Sequence, residues 1–256
     1  MAGFEIIGLW IYPIKSLGGV SVHEATITSA GSFVGDREWL VVDQTGRMLW
    51  QGDLPKMTLL QVKLLDHTLT ISRHDGTSIG VPVTHGGRAA AVTQYGDEFV
   101  GVDAGEAVAA WLSEFLDHPC RLVRIGRHAH QRPKLNPLHV VSVHSLRILN
   151  QLMEAQGAVT IELERLRPNV VLGGEHEPFA EETASIIGFE GSQLLLTQPC
   201  VRCELPNISR VDASRETQPL KLIGKMSKQR PASKPASFGT YVRAVGPWLR
   251  TGMLSR

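Results

Sequence analysis

Short alternations of hydrophobic and polar residues fill the first hundred positions of the chain, with turn residues between them. Runs of this length that are rich in β-branched and aromatic residues are typical of strands. The predicted strands are 5–12, 22–28, 39–43, 48–51, 59–65 and 68–72, and Pro82 marks a strand end. Short strands at close spacing favour a barrel, so residues 1–100 are predicted to form an all-β, barrel-like module.

Helical spacing of apolar residues appears only after this region. Apolar side chains recur every three or four positions after Asp103, and Glu106 stands where the second member of a capping box is expected. A second amphipathic stretch begins near Ser142 or Ser145 and ends at Gly157, a common C-cap residue. The pattern therefore predicts two helices after the β-rich region.

Strand-like runs return in the last ninety residues. They cover 169–172, 185–189, 193–197 and 238–245, whereas the polar segment 209–237 is predicted to be a flexible loop. We therefore predict a mixed, β-rich α+β fold. In it, the N-terminal β-barrel-like module packs on a second β-barrel domain with inserted helices, over residues 101–256, and later strands can complete part of the first module.

Composition and charge narrow the function classes. The chain has 256 residues, 43% of them hydrophobic and 20% charged, as in an ordinary globular protein. A formal net charge of +1 argues against a nucleic-acid binder with a wholly basic surface. Three cysteines do not suggest a secreted disulfide framework, and no apolar run is long enough to span a bilayer. We expect a cytoplasmic protein without nucleic-acid or membrane partners.

Two of the three cysteines, Cys200 and Cys203, stand in a C-x-x-C pattern with Arg202 between them. A zinc site needs further ligands at comparable spacing, and Cys120 is solitary. A thioredoxin-like pair is poorly supported, because Pro206 suggests a loop where that motif opens a helix. Cys200 is expected to be a small buried residue. Cys203, beside a guanidinium that would lower its pKa, is the candidate ligand or nucleophile.

Cationic and hydrogen-bonding residues recur at predicted turns. Lys15, Arg37, Arg167 and Arg202 suit phosphate oxygens, Asn169 and Tyr241 suit the polar edge of a heterocycle, and Cys203 suits a soft metal. The basic segment 126–134 is interpreted with equal weight as a solvated loop or as a cover over an anionic ligand. No nucleotide-binding or hydrolase motif is present in the sequence.

Several short motifs resemble those of MOSC proteins, which are named after the C-terminal domain of molybdenum cofactor sulfurase. Residues 12–16 (YPIKS) and 35–39 (GDREW) look like the N-terminal β-barrel module of that family. The motifs that resemble the MOSC domain itself are 167–171 (RPNVV), 178–182 (PFAEE), 187–188 (IG), 200–203 (CVRC) and 219–220 (PL). The resemblance covers nearly the whole chain and extends to the mitochondrial amidoxime-reducing components.

The resemblance implies a molybdenum cofactor, Mo-molybdopterin, bound between the two domains. By motif, Cys203 would be the metal ligand and the catalytic residue. The residues that would contact the pterin or its phosphate are Lys15, Ser16, Arg37, Asn136, Arg167, Asn169, Arg202 and Tyr241. The implied activity is reduction of N-hydroxylated or N-oxide compounds by oxygen-atom transfer, with electrons from an external flavin or iron–sulfur reductase.

Two departures from the family pattern suggest a reshaped pocket: Val201 stands where relatives often have Ser, and residues 49–52 replace a Thr-x-Arg element. The chain stops about where the MOSC domain ends, so a separate electron donor is expected. An alternative from another class is a non-redox carrier that holds sulfur or the cofactor on Cys203. A third is a plain binding module with a solvated basic face. Turnover of an N-hydroxylated substrate distinguishes the reductase from the carrier and from the plain binding module.

Overall fold

The computed structural model describes residues 3–132, 136–230 and 233–256, and within them the fold is mixed α+β with strands predominating. The first nine strands are β1 (Gly3–Ile11), β2 (Val20–Val22), β3 (Glu24–Thr26), β4 (Trp39–Val42), β5 (Gln61–Leu65), β6 (Thr68–Ser72), β7 (Ser78–Pro82), β8 (Ala89–Gln94) and β9 (Asp97–Asp103). The others are β10 (Arg121–Arg124), β11 (Leu138–Ser142), β12 (Val170–Glu175), β13 (Ile186–Phe189), β14 (Ser192–Val201), β15 (Ser237–Val245) and β16 (Trp248–Arg250). The helices are α1 (Glu106–Leu116), α2 (Val143–Glu154) and α3 (Leu220–Ser227), and short 3₁₀ helices span Pro55–Leu59, Gly126–His130, Leu163–Arg165, Ala180–Glu182 and Leu205–Asn207.

The largest sheet joins the two ends of the chain. Its seven strands run in the order β13-β14-β15-β11-β12-β1-β2. β1 pairs antiparallel with β12, with Leu9 opposite Val170. Apolar side chains from both strands, among them Ile6, Leu9 and Leu172, are fully buried in one core under this sheet. The first strand of the chain is therefore built into a sheet made mostly of later strands.

Two smaller sheets and α1 enclose a second core. β4-β10-β9-β8 form one sheet, β5-β6-β7 form the other, and Val108, Leu112 and Leu116 of α1 pack into the core between them. The predicted apolar face of α1 is confirmed, but its predicted cap is wrong. Gly105 is the N-cap residue, and Asp103 pairs with Arg121 while its Oδ1 accepts the Gly105 N–H at 2.7 Å.

The C-terminal helices cover one face of the large sheet. α2 begins as predicted, with the Ser142 hydroxyl accepting the His144 N–H at 3.0 Å. α3 overturns the predicted flexible loop at 220–227, since Leu222, Ile223 and Met226 are buried in the same core as α2, and positions 231–232 of that predicted loop lie outside the described residues. Lys221 and Lys225 interrupt a two-turn apolar stripe that only packing against α2 makes stable.

Residues 48–51 do not form the predicted strand. Met48 makes an isolated bridge to Val42, and a turn follows at once. The predicted strand 22–28 is divided into β2 and β3, and β14 runs four residues beyond its predicted end, to Val201. That extension, whose pairing with β15 shifts register between Leu196 and Gln198 and between Pro199 and Val201, brings the C-x-x-C pattern to the end of a strand. Among the described residues, no helix has the length and apolar character needed to cross a membrane.

Candidate functional site

Three turns meet where β1 ends and β12 begins. The antiparallel pairing of these strands places residues 12–16, just after β1, beside residues 167–169, just before β12. The Trp10 N–H donates to the Asn169 carbonyl at 2.9 Å, and the Arg37 N–H donates to the Tyr12 carbonyl at 2.8 Å. The sheet register therefore brings together three motifs that lie far apart in the sequence.

Three of the predicted site residues have left-handed backbone conformations. The φ angles are +69° at Ser16, +56° at Arg37 and +54° at Arg167. Positive φ is uncommon for residues other than glycine and persists where surrounding structure holds it. Backbone hydrogen bonds hold two of these turns, since Leu17 N–H donates to Ile14 and Arg167 N–H to Glu164. The concentration of such turns at one place marks it as a candidate functional site.

Tyr12 holds two of the predicted cations. Its buried ring lies between the guanidinium carbons of Arg37, 4.5 Å from the ring centroid, and Arg167, 4.3 Å away. Its hydroxyl donates to the Pro168 carbonyl at 3.0 Å. Burial raises the pKa of Tyr12 to about 12, so the ring is neutral and attracts both guanidinium groups through its face.

Asp36 and Asn169 fix the orientation of Arg37. Arg37 Nη1 donates to the buried carboxylate of Asp36 and, at 2.9 Å, to Asn169 Oδ1. The Asn169 amide also accepts the His139 N–H at 3.2 Å and donates to the Trp10 carbonyl at 3.0 Å. All polar atoms of the Asn169 side chain are thus engaged within the protein. The geometry gives Asn169 a positioning role at this site.

A cavity of about 330 Å³ opens beside these turns; we call it the main cavity. Five of the predicted residues line it, together with other residues that are mostly polar. The full lining is Lys15, Ser32, Asp36, Arg37, Gln94, Tyr95, Ala129, His130, Arg132, Asn136, Pro137, His139, Asn169 and Tyr241. Arg132 pairs with Asp97 at 2.7 Å, while Asn136 Oδ1 accepts from Gln198 at 2.8 Å. The part of the basic segment at 133–135 lies outside the described residues.

Lys15 is the cation least neutralised by its surroundings. Within the described residues, no carboxylate lies within 4.0 Å of its ammonium group, and its Nζ sits 5.4 Å from the Tyr95 ring centroid. Burial lowers the pKa of Lys15 to about 8, and the neighbouring charges of Arg37 and Arg167 add to that effect. Lys15, Arg37 and Arg167 are three positive groups, and the nearby carboxylate of Asp36 is paired with Arg37. This excess of positive charge favours an anionic ligand.

His139 and Arg202 form the wall behind Tyr241. His139 Nε2 lies 3.1 Å from the Phe238 carbonyl, which only accepts, so we assign the proton to Nε2. Burial, and then the charge of Arg202, lower the pKa of His139 to about 3, which keeps the ring neutral. Arg202 Nη1 lies 3.3 Å from Nδ1 and donates to Cys200 Sγ at 3.0 Å. Arg202 is therefore held by several acceptors.

The two cysteines of the C-x-x-C pattern differ as predicted: Cys200 is buried and Cys203 is exposed. Arg202, however, donates its hydrogen bond to the buried thiol. Cys203 follows the end of β14 and precedes the 3₁₀ helix Leu205–Asn207. A negative charge on Cys203 would raise the pKa of Lys15, against the effect of burial, and would raise the pKa of Tyr95, in the same direction as burial. Its sulfur therefore belongs to the same electrostatic neighbourhood as the main cavity.

The predicted residues fall into two groups. Lys15, Arg37, Asn136, Asn169 and Tyr241 line the main cavity, whereas Ser16, Arg167, Arg202 and Cys203 lie outside its lining. Sequence reasoning missed Tyr12, Asp36, His139 and Tyr95, and it named Arg132 only as part of the basic segment 126–134. Tyr12 and Asp36 stood inside motifs already singled out, and their buried polar contacts distinguish them. Tyr95 carried no local signal, because only tertiary packing brings it to the cavity. Arg132 lies in the basic segment 126–134, which was predicted with equal weight to be a solvated loop or a cover over an anionic ligand, and it lines the cavity.

Comparisons with known proteins agree with this architecture. Residues 3–119 match the MOSC N-terminal beta barrel domain, and residues 127–252 match the MOSC domain. Mitochondrial amidoxime-reducing component 1 from Mus musculus is 30% identical over 93% of this chain and 77% of its own length. The same component from Homo sapiens is 32% identical over 93% of this chain and 78% of its own length. Molybdenum cofactor sulfurase from Danio rerio is 28% identical over 93% of the chain, which spans 31% of that longer protein. The chain therefore belongs to the family of proteins that join a MOSC N-terminal beta barrel domain to a MOSC domain.

Proposed function

We propose that this protein is a molybdenum-cofactor oxidoreductase that reduces N-hydroxylated or N-oxide compounds. The observation that carries the proposal is the pairing of an exposed thiol, Cys203, with a cavity whose lysine has no carboxylate partner among the described residues. The similarity to amidoxime-reducing components supplies the substrate class.

The residues present fit an anionic pterin with a terminal phosphate and a metal. Lys15 and Arg37 point positive charge at the main cavity. Ser16 Oγ and Arg202 Nε are buried and have no hydrogen-bond partner within the described residues. Buried polar atoms are normally paired, so unpaired ones in the residues next to Lys15 and Cys203 in the sequence suit ligand atoms. A thiolate is a preferred ligand for a soft metal.

Each residue has a definable task in this proposal. Cys203 would hold the metal, Lys15 and Arg37 would neutralise the phosphate, and Tyr241 and Asn136 would contact the pterin edge. Arg167 acts through Tyr12, and Asn169 orients Arg37. The cofactor, when bound, supplies the two-electron chemistry that removes an oxygen atom from nitrogen. Electrons would come from a separate flavin or iron–sulfur reductase.

The test compares three proteins expressed in a host that makes the cofactor: the native chain, Cys203→Ala and Cys120→Ala. Cys120 is buried in the second core and serves as the matched control. We expect near-stoichiometric molybdenum and pterin, and reduction of an amidoxime with an artificial donor, in the native and Cys120→Ala proteins. Cys203→Ala should fold but lose metal and turnover. Full turnover in Cys203→Ala would contradict the proposal.

A second candidate function rests on the exposure of Cys203 and on the similarity to molybdenum cofactor sulfurase. In that case Cys203 would carry sulfur or the cofactor to another protein without reducing a substrate. The same comparison separates the two. A carrier would retain cofactor or a persulfide on Cys203 and show no reduction of any N-hydroxylated compound.

A further inference from the structure

A second cavity lies behind one wall of the main cavity. It has a volume of about 310 Å³ and is bordered by exposed side chains, including Ser29, Arg127 and Gln131, so solvent reaches it. His130 lines both cavities. Glu38 borders only the second cavity, and Ser32 only the main one. The three residues therefore span the wall in the order Glu38, His130, Ser32.

The three side chains are in contact and are almost completely buried. His130 Nδ1 lies 2.8 Å from Ser32 Oγ, and His130 Nε2 lies 3.5 Å from Glu38 Oε1. Thr28 Oγ1 is 2.7 Å from Ser32 Oγ and can donate to it. When His130 Nδ1 carries a proton, His130 and Thr28 can both donate to Ser32 Oγ, and the Ser32 hydroxyl then keeps its own proton for an acceptor in the main cavity.

Glu38 is held in its charged form. Burial alone would raise the pKa of Glu38, but the neighbouring His130 ring and hydrogen bonds from Arg124 and the Gly35 N–H lower it to about 2. His130 Nε2, at 3.5 Å from Glu38, has no hydrogen-bond partner within the described residues. The other charged groups that face His130 across the two cavities are Lys15, Asp36, Arg37, Arg127 and Arg132.

We propose that Glu38, His130 and Ser32 form a proton relay from the second cavity to the main cavity. The relay rests on the proposed function, which consumes protons: R–NH–OH + 2 e⁻ + 2 H⁺ gives R–NH₂ + H₂O. The N–O bond breaks, one proton goes to nitrogen and one to the departing oxygen. The two electrons come from the external flavin or iron–sulfur reductase.

Each proton crosses the wall in three transfers. Ser32 gives its hydroxyl proton to the acceptor in the main cavity and takes the Nδ1 proton of the imidazolium, which leaves a neutral ring with its proton on Nε2. A half-turn about the Cβ–Cγ bond then moves the free Nδ1 away from Ser32, hydronium in the second cavity protonates it and becomes water, and the reverse turn brings the Nδ1 proton back to Ser32. Proton transfer by a positioned side chain contributes roughly a hundredfold or more to rate.

His130→Gln tests the relay, because the amide keeps polar contacts but carries no exchangeable imidazole proton. His128→Gln is the matched control, since His128 is exposed on the same 3₁₀ helix and outside the main cavity. We expect His130→Gln to retain molybdenum and KM while kcat falls about a hundredfold, with partial recovery in added imidazole. His128→Gln should match the native protein.

Ser32→Ala decides the question if His130→Gln does not fold. We expect it to lower kcat about tenfold or more and to raise the solvent deuterium isotope effect on kcat. A readout independent of turnover is the ¹⁵N resonance of His130 in histidine-labelled protein. It should show a hydrogen-bonded Nδ1 that changes in Ser32→Ala and stays unchanged in His128→Gln.

Native kcat in both His130→Gln and Ser32→Ala, at full molybdenum content, would overturn the relay and leave the proposed function standing. An Nδ1 resonance that is identical in Ser32→Ala would overturn it as well. Failure of the proposed function is visible earlier, as absence of molybdenum and turnover in the native protein. In that event the relay has no reaction to serve and is rejected with it.

Discussion

Lys15 couples the charge of the main cavity to pH. Because its pKa is lowered to about 8, its charge is present below that pH and is lost above it. Binding of sulfate, whose own charge is constant over this range, should therefore weaken as pH rises from 6.5 to 9.5. Titration calorimetry on the native chain measures this. In Lys15→Met the affinity should be lower and nearly flat with pH, whereas Lys56→Met, at an exposed site, should follow the native profile.

The same residue should lower the stability of the fold. Its folded-state pKa lies below the ordinary value of 10.5, so the unfolded chain binds more protons between about pH 8 and pH 10.5 and stability rises with pH across that window. Lys15→Met should raise the melting temperature at pH 7 by about 2 °C or more, by removing a buried charge. An unchanged or lower melting temperature would contradict the burial argument.

Tyr12 is expected to contribute through both its hydroxyl and its ring. Tyr12→Phe leaves the Pro168 carbonyl unpaired and should lower the free energy of unfolding by about 1 kcal/mol. Tyr12→Leu also removes the face that lies between Arg37 and Arg167, and should cost about 2 kcal/mol more. Urea unfolding measures both. Equal losses in the two variants would show that the ring faces contribute nothing.

For individual residues of the site, the sequence predicted the chemical type of the side chain better than the role of that side chain. Lys15 and Arg37 were predicted as cations for a ligand, and the structure places both on the main cavity. Asn169 was predicted as a ligand contact, but its amide is occupied by protein groups. Such occupation depends on the register of β1 and β12, which no local pattern reveals.

At the scale of elements, α3 is where sequence reasoning failed most clearly. Pro219 and the lysines at 221 and 225 suggest a polar loop, while the helix depends on burying Leu222 and Ile223 against α2. Strands with clear alternation, such as β6, were predicted to the residue. Short elements stabilised mainly by tertiary packing are those that local pattern misses.

Ile223→Ala should therefore destabilise the protein by about 3 kcal/mol, because it removes a fully buried side chain from the core shared by α2 and α3. Lys225→Ala, on the exposed face of the same helix, should change the free energy of unfolding by less than about 0.5 kcal/mol. Thermal and urea unfolding provide the comparison. A flexible segment, as the sequence suggested, would tolerate both substitutions equally.

At the scale of the whole molecule, the two family domains share their sheets. β1 and β2 lie in the sheet of the second domain, while β10, beyond residue 119, pairs with β4 and β9 of the first. Residues 3–119, which match the first domain, therefore lack β12, the partner of β1, and β10, the partner of β4 and β9. We expect a fragment of residues 1–119 to lack a cooperative thermal transition in calorimetry, while the full chain unfolds in one. A cooperative transition in the fragment would show that its own core suffices.

The pairing of β1 with β12 also has a consequence for biosynthesis. β1 leaves the ribosome first, but Val170, the partner of Leu9, is made about 160 residues later. At ordinary translation speeds this separation corresponds to roughly 10 to 30 seconds. During that time an apolar strand has no neighbour on the β12 side, and Tyr12 cannot meet the turn that contains Asn169. The cationic site thus forms only after residues 167–169 have been made, and β1 is a natural substrate for chaperones until then.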